Sequence, residues 1–106
     1  MMRNETRQNI NGRSWRVKLV TSRELPRTVL GDCDTPPGPH PLIRVRRALG
    51  ARLLLDTIVH EVLHASLPQL SEEAVAQAAT DIARVLFALN YRRTSPCRPR
   101  PKANDS

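Results

Sequence analysis

The sequence predicts an α+β domain in which a small antiparallel sheet of about three strands packs on one helix, with a second helix near the C-terminus. Three observations predict it. Apolar residues alternate with a period of two around Trp15 and again around Ile43, the spacing becomes helical after Leu49, and proline-rich stretches separate the segments.

A chain of 106 residues has room for one small domain with a single core. Its opening, MMRNETRQNINGR, is polar and shows no periodic apolar face, so residues 1–13 are expected to be a flexible start and residues 14–91 the domain. In WRVKLV, Trp15, Val17 and Leu19 alternate with Arg16 and Lys18, as in a half-buried strand. RTVLGDC, after Pro26, supplies a second strand. DTPPGPHP holds four prolines and a glycine and reads as a rigid loop. In LIRVRR, Ile43 and Val45 face the core while Arg44 and Arg46 face water, and the strand is expected at the sheet edge.

From about Leu49, GARLLLDTIVHEVLHAS carries apolar residues at helical spacing until Pro68 stops the run. A second helix is expected from the N-cap residue Ser71 to about Tyr91. RRTSPCRPRPKANDS, residues 92–106, has three prolines, five basic residues and little to bury, so it is expected to be a disordered basic tail.

Composition narrows the function. No stretch approaches the roughly 18 apolar residues of a membrane helix, and the start is not that of a signal peptide, so a cytoplasmic protein is expected. Cys33 and Cys97 cannot make the multi-bridge framework of small secreted domains. No glycine-rich phosphate loop supports nucleotide chemistry. The net charge of +7 is uneven: ten basic residues face four acidic ones in 1–47, two face five in 48–91, and five face one in 92–106. A locally acidic unit, the kind of surroundings a divalent cation prefers, therefore sits inside a basic chain.

That unit contains His60-Glu61-Val62-Leu63-His64, an HExxH pattern. Residues four apart on a helix share a face, so both imidazoles can reach one metal ion, while Glu61 lies beside it as a general base rather than a ligand. A catalytic zinc needs a third protein ligand, and Glu72 and Glu73 are the two choices on the next helix. With Glu72 taken as zero, the apolar residues Val75, Ala79, Ile82, Leu86 and Leu89 centre near about −60°, which puts Glu72 about 60° and Glu73 about 160° from the buried face. The phase favours Glu72, which also gains from the positive helix N-terminus. Asp56, one turn before His60, is either a supporting partner of the site or the mate of Arg52 in an i, i+4 ion pair. Cys33 and His40 flank the proline loop and are weaker ligand choices, and Tyr91 is expected to pack at its helix end.

The runs GDCDTPP, IRVRRAL, LLDTIVHEVLHA and LSEEAVAQAATDIARVLFALNYR resemble the minimal zinc-metallopeptidase-like domains of phages and some bacteria, close to the minigluzincins and more distantly SprT-like proteins. The resemblance covers about residues 15–93, and HExxH with the downstream Ser-Glu-Glu is its most specific part. It implies a three-stranded sheet on an active-site helix backed by a glutamate-bearing helix, with His60, His64 and Glu72 as zinc ligands and Glu61 as the base of peptide-bond hydrolysis. A peptide substrate could add to the strand Ile43 to Arg46, whose arginines would favour acidic side chains. The alternative is a non-catalytic protein that zinc stabilises, whose basic surface and tail bind nucleic acid or an acidic partner. The Arg-rich tail favours it, as does the lack of a downstream Tyr or His of the sort that larger gluzincins use to stabilise an oxyanion.

Overall fold

A computed structural model describes residues 4–21 and 23–93. The expectations for the first three residues, for Cys97 and for most of the basic tail lie outside the described residues. Four strands precede two helices: β1 (Glu5–Ile10), β2 (Arg13–Val20), β3 (Gly31–Cys33), β4 (Leu42–Arg46), α1 (Ala51–Ser66) and α2 (Glu72–Ala88). The fold is α+β, with a sheet of four strands rather than three, in the order β1-β2-β4-β3. It is mixed rather than antiparallel: β1 and β3 run antiparallel to their neighbours, and β4 runs parallel to β2.

The extra strand comes from the segment expected to be a flexible start. β1 is largely exposed and therefore has no apolar signature, and it is held by main-chain pairing to β2 instead. The tight turn between them is Asn11-Gly12, both with positive φ (52° and 77°), the backbone that a two-residue hairpin needs and that Asn-Gly adopts readily. That dipeptide was the readable signal.

A second correction concerns β4. It is not an edge strand: β2 and β3 flank it, so a peptide cannot add to Ile43 to Arg46. Ile43 and Val45 are fully buried and form the core with Trp15, Leu54 and Ala65. Arg44 and Arg46, on the opposite face, are not simply solvated. Arg44 makes two bonds to Asp32 across the strand pair and a third to the Glu24 carbonyl. Arg46 donates to the carbonyls of Val29 and Pro26. These arginines pin the loop 23–30 over the outer face of the sheet. They also explain why only Gly31–Cys33 of RTVLGDC is strand: Arg46 engages the residues before it as a loop.

The helices follow local rules. Ser71 caps α2 with its Oγ accepting from the Ala74 amide at 3.1 Å. α2 ends at Ala88, where Asn90 takes φ 70° and the amides of Asn90 and Tyr91 bond back to Phe87 and Leu86, a Schellman stop. Arg93 donates to the carbonyls of Arg47 and Leu49, so Arg92 and Arg93 belong to the folded unit and not to a tail. α2 packs on α1 and on no strand. Its buried stripe is Val75, Ala79 and Ala83, while Ile82, Val85 and Leu89 are 40%, 57% and 63% exposed. The buried face is thus turned by about 40° toward Glu72 from the one the apolar residues suggested. No helix among the described residues is long and apolar enough to cross a membrane.

Replacing Arg46 with Ala should cost about 1.5–3 kcal/mol, the range for hydrogen bonds from a charged donor. Thermal unfolding should show the loss, and amide exchange should rise first in residues 26–30. An unchanged melting temperature would mean that the loop holds without its clamp.

Candidate metal centre

α1 brings His60 and His64 to one face, one turn apart, with ring centroids 4.9 Å from each other. The chain then turns through Leu67–Ser71 and starts α2, so the first residue of α2 stands beside the last turn of α1. Glu72 is that residue. Its two oxygens lie 2.9 Å from His60 Nε2 and 2.8 Å from His64 Nε2, and the two Nε2 atoms are 3.2 Å apart. Glu73 and Cys33 are not in this group, and neither is His40, so among the described residues the cluster is His60, His64 and Glu72.

These distances suit a cation. Donors about 2.0–2.1 Å from a tetrahedral zinc stand roughly 3.3 Å from one another. Hydrogen bonding alone accounts for the cluster less well. A neutral imidazole nitrogen either donates or accepts, so if both histidines donate to Glu72, two N–H groups are left facing each other. The donor chemistry, two imidazoles and a carboxylate, is that of a catalytic rather than a closed structural zinc site. Glu72 is the exposed member, so the centre opens to solvent on its side.

Glu61 lies on the side of α1 that faces β3 and is only 8% exposed. Burial pushes its carboxyl above the usual range, against the opposing pull of the two histidines. β3 comes close here because Gly31 has no side chain: a Cβ at that position would sit 2.9 Å from the Arg44 carbonyl, 3.0 Å from Thr57 Cγ2 and 3.3 Å from Glu61 Cγ. The glycine in VLGDC carried this information, since a glycine inside a strand often marks a close approach.

His60, Glu61, His64 and Glu72 line one cavity of about 610 Å³. Its other wall is Thr28–Cys33, and Leu53, Asp56 and Thr57 continue it along α1. Of the β3 wall, sequence reasoning singled out only Cys33, as a weaker ligand choice; the rest of that wall was not seen as part of the site. β3 is an edge strand. The Leu30 carbonyl and Asp34 amide bond to β4, so by antiparallel alternation the main-chain groups of Gly31 and Cys33 point to the free edge. Asp56 does not pair with Arg52. It accepts from the Thr80 hydroxyl, and Arg52 lies over the Phe87 ring. Tyr91 is exposed and outside the cavity wall, so it neither packs nor reaches the site.

Comparison of the chain with protein-family models, curated proteins and solved structures finds no match in any of the three.

The Cys33 thiol, also in the cavity wall, is pushed up from 9.0 to about 12, by burial first and then by Glu61, Asp34 and Asp32. The neutral thiol is therefore the form that folding favours. Between pH 9 and 12 the unfolded chain ionises Cys33 while the folded one does not, so this residue's contribution to stability falls as pH rises past 9. In metal-free Cys97→Ser protein, Cys33 should alkylate at pH 9 at least ~10-fold more slowly than the same thiol in denaturant. Equal rates would place Cys33 in an ordinary environment.

Proposed function

We propose that this protein is a zinc-dependent metallopeptidase-like hydrolase of peptide bonds. The observation that carries the reading is the convergence of His60, His64 and Glu72 at 2.8–3.2 Å in the same cavity as the buried Glu61. In this reading the three converging residues hold Zn²⁺. Bound zinc supplies Lewis acidity, polarising a carbonyl and lowering the pKa of a coordinated water to about 7.

The chain's own residues do the rest. Glu61 accepts a proton from the attacking water at its carboxylate and returns it to the departing amine. Its raised pKa suits both roles, because a base of higher pKa takes the proton more readily and its acid is still able to give it up. The free edge of β3 orients the substrate: an extended peptide adds there through the main-chain groups of Gly31 and Cys33, which lays a carbonyl along the cavity that holds the triad.

The test is elemental mass spectrometry of dialysed protein, followed by peptide turnover. Wild type should hold about one zinc per chain, His60→Ala and Glu72→Ala less, and Glu61→Gln should keep the metal while losing at least ~100-fold in rate. A wild-type chain without zinc even after reconstitution would sink the metal reading, and an unchanged rate in Glu61→Gln would sink the base.

A second reading, binding of nucleic acid by the outer face of the sheet, is supported by one observation. Arg7 and Arg16 stand directly opposite each other in the β1–β2 register with Lys18 on the same face, and the one acid among them, Glu5, pairs with Arg16 at 3.0 Å, which leaves the strip net positive toward a phosphate. Binding to DNA that weakens steeply with salt, survives removal of residues 94–106 and falls in Arg7→Glu would support it. Binding that vanishes with those residues would assign the charge to the tail alone.

A further inference from the structure

The cavity is acidic although the chain is basic. Its wall contains Asp32, Asp56, Glu61 and Glu72 and neither lysine nor arginine. Two of these carboxylates are already engaged and a third is buried. Glu72 meets both histidines, Glu61 is the buried group beside them, and both oxygens of Asp32 are taken by Arg44. Asp56 is left. Its hydrogen-bond partner is the Thr80 hydroxyl at 3.3 Å, a neutral donor that leaves its charge uncompensated, and no ion pair reaches it among the described residues. The nearest basic residue in sequence, Arg52, is turned to Phe87.

Apolar side chains share the cavity with Asp56. Leu53, one turn before it, and Leu30, on the opposite wall, are among the exposed large hydrophobic residues of the chain, and Val29 lines the same wall. A pocket with aliphatic walls and one unpaired carboxylate matches a side chain that is itself apolar along its stem and cationic at its tip. Lysine and arginine have that form; leucine leaves the carboxylate unpaired, and glutamate meets it with like charge. Asp56 is four residues before His60 on α1, so it lies about 6 Å along the helix axis from that member of the metal centre, within reach of a side chain one or two residues from a carbonyl held there.

We propose that Asp56, with Leu53 and Leu30, forms a subsite that selects a lysine or arginine close to the scissile bond. The proposal rests on the peptidase reading for its location and replaces the expectation of acidic substrates: Arg44 and Arg46, on which that expectation stood, are spent on Asp32 and on loop carbonyls.

The experiment uses zinc-reconstituted full-length chain and a fluorescent peptide with a neutral host sequence. Lysine, norleucine or glutamate is placed in turn at each position, and both cleavage and binding by anisotropy are measured. At one position lysine should be favoured over norleucine and over glutamate, the latter by at least ~10-fold. In Asp56→Asn, which keeps the shape and an acceptor for Thr80, the lysine-to-glutamate ratio should collapse to about 2-fold or less, and Asp56→Lys should invert it. A purely structural role for Asp56 would lower all three peptides together and leave the ratios alone, which overturns the proposal. Cleavage with no preference, or with norleucine best, also overturns it and leaves the peptidase reading standing. Lysine-selective binding that depends on Asp56, without cleavage of any peptide, sinks the peptidase reading and keeps the subsite. Neither binding nor cleavage by reconstituted protein overturns both.

Discussion

The structure depends on how closely α1 is held on both sides. Toward the sheet, Ile43 and Val45 of β4 meet Leu54 and Ala65, and Gly31 lets β3 come within van der Waals reach of Thr57 and Glu61. Toward α2, the buried stripe Val75, Ala79 and Ala83 is mostly alanine, and short side chains let two helices approach closely. Among the described residues, α1 is the only element in contact with both the sheet and α2. Any looseness in it would spread the two histidines from Glu72 and Glu61 from the cavity, because one side of each relationship is anchored on α1.

Charge is sorted by face. Asp56, Glu61 and Glu72 of the central segment line the cavity, while Arg44 and Arg46 of β4 are turned to the opposite side of the sheet and used as clamps. The consequence is a small acidic interior opening in a chain of net charge +7. A cation gains from that opening whether it is a metal or a side chain.

Part of this was legible beforehand. The strands around Trp15 and Ile43, the two helices, the cap at Ser71 and the stop at Pro68 all follow from residues close in sequence. β1 was missed because an exposed edge strand has no apolar period, although Asn11-Gly12 announced the hairpin. The apolar residues of α2 misled in a different way. Ile82, Val85 and Leu89 look like core in a helical projection, yet α2 meets only one partner, and one helix cannot cover so wide a stripe.

The amino-acid sequence alone determined the local geometry: two histidines four apart on a helix, a glutamate between them, and a capped helix beginning seven residues later with another glutamate in its first turn. Only the tertiary structure decided that β4 lies inside the sheet, that Arg44 and Arg46 hold a loop, that β3 is the free edge beside the cavity, and that Asp56 meets a hydroxyl rather than a cation among the described residues. The division has a physical cause. Helix phase and capping act over a few residues and leave a periodic trace, whereas strand order and the choice among charge partners are set by segments far apart in the chain competing for the same groups.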